Sequence, residues 1–470
     1  YEAGLTIAHV WNDLISLEQE YGLRTKSVEQ YGYDCYLDDT EFLTNSGWKL
    51  YDDVTNTDML ATINPLNGSV EFQLPIERIK KPYSGTMYHV KHRYTDCMVT
   101  PNHRMFLSPV RRGNNGLNGT AYRESFANWA FQPINDLNNR YYHTRVAGSP
   151  SINRPRFGTN DASDDMIILV GAYVSEGCVA KKLSSGHPSV LAFDQKVGGR
   201  LEPYLSAIAK RWPMRSYNYI QKASSTRKYD CHAIRYTLAD RDLSRTITSD
   251  CGIKSRNKKL PTWCFDLNFV QANLLLDVLI AGDGTKNKNG YHIYYTNSKQ
   301  LAGDVQAVSI IAGRRSNVWG PYDKGMYQVL IQDPGKEIEC ISTKANIKIE
   351  TVSNRNIVCF TVPNETLVTR RNGRVAMQGN TKFAMHIFRL LHEAHLLLMN
   401  GSLLFPLPDP YRSYLMKIRE GEYKIEELLE NAEKMINVVD ICPSSLPEYC
   451  DLDRICELQV KLLTDYWRIN

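Results

Sequence analysis

At 470 residues the chain exceeds what one ordinary core holds, so two to four domains are expected. A hydrophobic fraction of 43% and a charged fraction of 23% belong to a folded protein and exclude a disordered one. The net charge of +5 permits nucleic-acid contact without arguing for it. No apolar run approaches the roughly 18 residues that cross a bilayer, and no signal peptide opens the chain, so no membrane contact is expected. The chain starts at Tyr1 rather than Met, which suggests a fragment or a processed piece. Its 11 cysteines are odd in number and lack CxxC pairs, which argues against a disulfide framework or a zinc site and for a reducing cytoplasm.

Residues 1–34 read as helical, with Leu5, Val10, Leu14 and Leu17 at mixed three- and four-residue steps. From Cys35 to about Phe106 short β runs alternate with turns such as Asn45-Ser46-Gly47 and Asn67-Gly68. Residues 107–160 are turn-rich, with Gly113-Asn114-Asn115-Gly116 at their head. Between about 163 and 345 the pattern is mixed α/β and rich in Lys and Arg. Short β runs return from Ile347 to Met377, including the turn Arg371-Asn372-Gly373. After Thr381 the chain is helical, with Phe383, Ile387, Leu390, Leu391, His395 and Leu398 near a 3.6-residue period. A β element split around an α/β element, itself dividing a helical one, suggests nested insertion.

The run Cys35-Tyr36-Leu37-Asp38-Asp39-Thr40 resembles the opening block of inteins, and Thr100-Pro101-Asn102-His103 resembles their Thr-x-x-His block. Val362-Pro363-Asn364-Glu365-Thr366 and the closing Gln378-Gly379-Asn380-Thr381 complete the series in family order over residues 35–380. Taken singly, a lone Cys is usually a small buried hydrophobe and an Asn-Thr pair a turn. The resemblance implies autocatalytic splicing without a cofactor. Cys35 would attack the Asp34 carbonyl to form a thioester, with His103 protonating the leaving nitrogen and Thr100 holding the bond. Thr381 would then take the acyl group, and Asn380 would cyclise and free the flanks, which join as Asp34–Thr381. Two positions depart from the family. Gly379 stands where His is usual, and Cys359 stands where Asp is commoner, a helper or proton carrier on this reading.

Leu169-Val170-Gly171-Ala172-Tyr173-Val174-Ser175-Glu176-Gly177 and Leu276-Asp277-Val278-Leu279-Ile280-Ala281-Gly282-Asp283-Gly284 each read as an apolar helix closing on an acid and a glycine. Small residues at Gly171, Ala172, Ala281 and Gly282 let two such helices pack closely, which brings Glu176 and Asp283 together. Carboxylates at helix C-termini oppose the macrodipole and repel each other, an arrangement that suits bound divalent cations. The pair resembles the LAGLIDADG motifs of homing endonucleases, and Lys258-Lys259-Leu260-Pro261 resembles their Lys block, with Lys258 in the active-site role. The resemblance implies a Mg²⁺-dependent cut in double-stranded DNA, with Glu176 and Asp283 as metal ligands. Lys181, Lys182, Lys196, Arg200, Arg211, Arg215, Arg227 and Lys228 are candidates for phosphate contact.

Joining Gln30-Tyr31-Gly32-Tyr33-Asp34 to Thr381-Lys382-Phe383-Ala384-Met385-His386 gives a stretch that resembles predicted phage and bacterial nucleotidyltransferases of the DNA polymerase β superfamily. Arg419-Glu420-Gly421-Glu422-Tyr423 resembles a later segment of that family. The expected architecture is α+β. Residues 1–34 and 381–470 are helical host flanks (exteins), 35–160 and 346–380 a split β-rich Hint horseshoe, and 161–345 a pseudo-twofold αββαββα endonuclease. The expected partners are the DNA target and the host in cis, in a monomer in the cytoplasm of a bacterial or phage-infected cell. The rival reading is a DNA endonuclease or DNA-binding protein with relic splicing motifs.

Overall fold

The structure, a computed structural model, describes residues 34–110, 129–138, 140–152, 157, 162–182, 186, 188–222, 229–287, 290–379, 384–402, 407–420, 423 and 425–443. The helix expected in 1–33, the Gly113–Gly116 turn, Arg227, Lys228, Asn380 and Thr381 lie outside these described residues. By internal contacts the chain divides into two units, Tyr1–Thr381 and Lys382–Asn470.

Among the described residues of the first unit, ten strands come before the first long helix: Tyr36–Leu37 (β1), Glu41–Thr44 (β2), Gly47–Leu50 (β3), Leu60–Ile63 (β4), Val70–Gln73 (β5), Glu77–Lys91 (β6), Asp96–Val99 (β7), Arg104–Pro109 (β8), Ala130–Pro133 (β9) and Tyr141–Arg145 (β10). The last two fall in the stretch read as turn-rich, where four- and five-residue strands carry too little alternation to register. Three further strands, Ile347–Thr361, Thr366–Arg371 and Arg374–Gly379, return to this β element from far along the chain. The first of them pairs with β6 from Glu77↔Thr361 to Val90↔Ile347, a ribbon much longer than the short runs expected. Its middle is exposed on both faces, so it shows no hydrophobic alternation. With β1 and β7 this ribbon closes a barrel.

Between the two β parts lies a repeat. Helix α1 (Asp164–Ser175) leads into β11 (Gly177–Lys182), β12 (Pro188–Lys196), α2 (Glu202–Ala209), β13 (Met214–Gln221), β14 (Cys231–Leu238) and α3 (Arg241–Cys251). Then α4 (Phe269–Asp283) leads into β15 (Gly284–Lys286), β16 (His292–Thr296), α5 (Lys299–Ile311), β17 (Ser316–Trp319) and β18 (Tyr327–Ile331). The strand orders are β11-β12-β14-β13 and β15-β16-β18-β17, so both halves wind the same way. Strand β19 (Ile338–Ser342) pairs with β10, so the return to the β element begins before residue 345.

The caps explain where the two repeat-leading helices start. Ser163 accepts from Met166 N at 3.3 Å, and Asn268 and Gln271 form a reciprocal capping box. Ile167 through Val174 are all buried, as expected of a helix apolar on every side. After β19 come the short helix α6 (Thr343–Asn346) and the three returning strands, β20 (Ile347–Thr361), β21 (Thr366–Arg371) and β22 (Arg374–Gly379). The β21–β22 hairpin turns on Asn372 and Gly373, both at positive φ (50° and 73°), the backbone of a two-residue I′ turn.

The second unit contains three described helices, α7 (Ala384–Asn400), α8 (Tyr411–Glu420) and α9 (Ile425–Asp440). Their core centres on Phe388, Leu415 and Ile418. Leu390, placed on the apolar face by periodicity, is 44% exposed, because Phe388 occupies the position that α8 packs against. No helix among the described residues is long and apolar enough to cross a membrane.

Candidate functional site

Two sites emerge, one at the ends of the split β element and one between the repeat halves. Cys35 precedes β1, which lies between β7 and β20 with Tyr36 opposite both Val99 and Val358. One step further along the ladder, Cys35 meets Thr100 on one side and Cys359 on the other. Thr100-Pro101-Asn102-His103 forms a tight turn, with His103 N donating to Thr100 O at 3.0 Å, and Pro101 presets its second position. This turn holds Thr100 and His103 in fixed relation. Cys35 N donates to Thr100 Oγ1 at 3.0 Å, and Thr100 N donates to Cys35 O at 3.0 Å. The Cys35 nitrogen is thus held by a hydroxyl in a site where Cys35, Thr100 and His103 are all buried.

His103 Nδ1 stands 2.8 Å from Asp34 Oδ1, and its ring packs edge-on against Tyr36 at 4.5 Å. The Tyr36 hydroxyl donates to Gly379 O at 3.1 Å, joining two backbone positions 343 residues apart in sequence. Asp34 is taken up by its neighbours. Burial acts to raise its pKa, and the charges of His103 and Arg104 override it and hold it at about 2. The Cys35 thiol is pushed well above the usual thiol range, first by its hydrogen bond with Cys359 and then by burial, so at neutral pH it is protonated. Cys359 is fully buried beside Cys35.

Gly379 has a steric reason for being glycine. A Cβ there would sit 2.4 Å from Arg104 O and 3.0 Å from the Phe131 ring. The side chain usual at this position in the resembled family has no room here, because β8 passes too close to the end of β22.

The second site lies where α1 and α4 end. Gly171 faces Val278, and Gly282 faces Ser175, each so tightly that an added Cβ would collide at 2.8 and 2.5 Å. This approach brings the ends carrying Glu176 and Asp283 together. Asp283 and Lys258 line a cavity of about 590 Å³ with Ser175, Gly177, Cys178 and Lys254. Burial, followed by the charge of Glu176, pushes the Asp283 carboxyl up to about 7. Glu176, though its side chain meets solvent, is also raised, chiefly by loss of hydration, with Lys258 and Gln195 opposing. Lys258 is buried, and burial lowers its pKa to about 8 against the pull of Asp283. Its Nζ donates to Tyr173 O and, at 2.7 Å, to Gly177 O, which places a cation on carbonyls at the C-terminal end of α1.

The Lys258 segment is itself held from α5. Ser298 Oγ donates to Lys258 O at 2.6 Å, and the buried Asp304 carboxylate accepts from Leu260 N at 2.9 Å. Among the basic candidates, Lys196, Arg200, Arg211 and Arg215 are all exposed; Arg211 also pairs with Asp165, and Arg200 donates to Gly284 O. No cluster of three or more His, Cys, Asp or Glu that could hold a metal occurs among the described residues. The sequence reading assigned no role to Arg104, Tyr36, Gln195 or Asp304, although Tyr36 lies within its opening block and Arg104 follows His103. Each acts through a partner distant in sequence, so spacing gave no signal for it.

No protein-family model matches the chain. Over 306 residues it is 25% identical to an ATP-dependent Clp protease proteolytic subunit of Chlamydomonas moewusii, a match that covers 61% of this chain and 28% of that protein. Over 410 residues it is 24% identical to a DNA-directed RNA polymerase subunit beta C-terminal section of Stigeoclonium helveticum, covering 74% and 36%. The chain therefore spans about a third of the length of these relatives. Similar solved structures include the homing endonuclease I-DmoI (TM-score 0.27, 14% identity, 36% of this chain and 88% of that one). They also include the homing endonuclease I-WcaI bound to its DNA recognition sequence (TM-score 0.28, 13% identity, 38% and 79%). A third is the AceL NrdHF class 3 split intein (TM-score 0.25, 8% identity, 74% and 99%). These TM-scores lie below the level at which similarity of shape specifies a common fold.

Proposed function

We propose that residues 35–380 are a self-splicing intein of Hint type, that the α/β repeat within it is a LAGLIDADG-type homing endonuclease, and that the outer segments belong to an interrupted host. The observation that carries this reading is the meeting of the two ends. The hydroxyl of Thr100 holds the Cys35 nitrogen, and the Tyr36 hydroxyl reaches the carbonyl of Gly379, next to Asn380. A folded enzyme with relic motifs has no need to bring these two termini to one buried point. The two curated relatives lend support of a different kind. Their names describe unrelated activities, so a segment similar to both is expected of an insert found in different hosts.

On this reading the Cys35 thiol adds to the Asp34 carbonyl carbon, the C–N bond breaks, and the nitrogen leaves as the amine, giving a thioester. Thr100 fixes that nitrogen in place through its hydrogen bond, and His103, beside Asp34, relays to it the proton that the thiol gives up. The acyl group passes to the Thr381 hydroxyl. The Asn380 side-chain amide closes on its own carbonyl and releases Thr381, and an O-to-N shift completes the Asp34–Thr381 peptide bond. Cys359 beside Cys35 serves as hydrogen-bond partner to the nucleophile in its resting state.

In the second site, Glu176 and Asp283 would hold divalent cations. Two carboxylates whose charged forms are disfavoured by burial and mutual repulsion fit that role, since a hard cation takes oxygen donors and relieves both terms. The bound ion would supply Lewis-acid stabilisation for phosphodiester hydrolysis. Lys258 contributes a buried positive charge beside Asp283, and the face of β13 that carries the exposed Arg215 and Tyr217 is suited to the DNA backbone. The host flanks would belong to a nucleotidyltransferase. The Lys382 and Phe383 positions of that resemblance, and Gly421 and Glu422 of its later segment, lie outside the described residues.

The test of the splicing site uses an Asn380→Ala precursor treated with dithiothreitol. Release of residues 1–34, absent in Cys35→Ala, is expected, and no release from the Cys35 chain would overturn the assignment. For the nuclease, nicking of supercoiled DNA with Mg²⁺ is expected to vanish in Asp283→Asn. Equal nicking by both proteins would remove Asp283 from the site.

A further inference from the structure

We infer that Arg104 sets the chemistry of the residue that can precede Cys35, so that the site accepts an acidic side chain there; this rests on the reading of Cys35 as the first nucleophile. The Asp34 carboxylate is met by two hydrogen bonds from Arg104 and by the nearby His103 ring. Oδ1 accepts from Arg104 N at 3.2 Å and lies 2.8 Å from His103 Nδ1, while Oδ2 accepts from Arg104 Nε at 3.2 Å. The side chain is only 15% exposed, so these contacts replace most of its water.

Arg104 is not free to adapt. It opens β8 directly after His103, its Nη1 donates to Glu365 Oε2 at 2.9 Å, and its guanidinium lies over the Phe131 ring at 5.0 Å. Glu365 itself sits at φ 53°, a conformation a glutamate rarely takes. The guanidinium therefore faces two carboxylates from fixed positions, one from the C-terminal piece of the β element and one from the residue before the scissile bond. Arg104 O also lies 2.4 Å from where a Cβ on Gly379 would stand, so one residue borders the approach to both junctions.

The donor geometry discriminates by chemistry. An asparagine at 34 turns an NH₂ group toward one of the donors and leaves a buried guanidinium with one carboxylate fewer. A serine or alanine cannot reach. A glutamate carries the same charge one methylene further out, past groups that cannot retreat. Loss of a charged hydrogen bond of this kind corresponds to roughly tenfold to a hundredfold in the step that depends on it.

The experiment measures dithiothreitol-triggered release of residues 1–34 from the full Asn380→Ala chain, with Asp34 intact or changed to Asn, Glu or Ser, each with Arg104 and with Arg104→Gln. With Arg104, Asp34 should react on the order of tenfold or more faster than Asn or Ser. With Arg104→Gln that preference should shrink to within about threefold. Rates independent of residue 34 when Arg104 is present would overturn the inference, and this arm needs no change at Arg104. So would Arg104→Gln slowing every chain by the same factor, the behaviour of a purely structural residue. A parent chain that releases nothing overturns the Cys35 reading and this one with it, whereas a reactive parent indifferent to residue 34 overturns this one alone.

Discussion

Replacing Asp283 with Asn should stabilise the metal-free protein, and the gain should grow with pH. The Asp283 carboxyl has an ordinary pKa of 3.8 and is pushed to about 7 in the folded chain by burial and by Glu176. The folded state therefore binds more protons than the unfolded state between those values. The stability this group contributes is full below about pH 4 and is lost as pH rises through 7. A shift of about three units has a ceiling of about 4 kcal/mol, and solvent in the open cleft screens it to roughly 2.

Lys258 has the opposite profile. Its pKa is lowered to about 8, so its charged form is a cost that fades only as pH climbs from 8 toward 10.5. The wild-type cleft is thus at its least stable near pH 7–8. Asp304 is also raised to about 7, first by burial, but it is present in both proteins and drops out of the difference. Thermal melts in EDTA at pH 4.5, 6 and 8 should show Asp283→Asn level with wild type at the lowest pH and a few degrees higher at pH 8. A difference that does not change with pH, or a less stable variant at pH 8, would refute the argument.

Calcium ions added to wild type should raise the melting temperature at pH 8 and hardly at pH 5, where Asp283 is protonated; a rise of equal size in Asp283→Asn would detach the effect from this cleft. Gly379→His should not restore a helper for Asn380. With a Cβ 2.4 Å from Arg104 O it should lower the melting temperature and slow cleavage at Asn380 in a Cys35→Ala precursor, and faster cleavage with an unchanged melt would contradict the packing argument. Cys359→Ala removes the leading cause of the raised Cys35 pKa, so the pH profile of thiol-triggered release should move to lower pH. A profile that stays in place would show that Cys359 does not govern the nucleophile.

Much of the site could be read from residue types and order, because some of its constraints are local. Thr100 and His103 lie at the two ends of one proline-containing turn, and Glu176 and Asp283 each end an apolar helix whose small residues announce a close neighbour. The rest depends on register between strands far apart in sequence. Nothing in the spacing of Cys35 and Cys359 indicates that they are ladder neighbours, and nothing near Gly379 foretells the approach of Arg104 O. The long ribbon of β6 and β20 was read as short runs because its exposed middle alternates between no two environments. In the second unit, periodicity found the α7 helix but centred its buried face away from Phe388, since the choice among apolar positions is made by α8.

The most direct test of the central claim is the intact mass of the products formed when the whole chain is expressed and sampled over time, beside Cys35→Ala and Asn380→Ala. The account predicts a free segment with the mass of residues 35–380 and a second product in which residue 34 is joined to residue 381, each variant halting at its own step. A single unchanged precursor in all three samples would contradict splicing and leave the cleft between α1 and α4 as the functional centre of the protein.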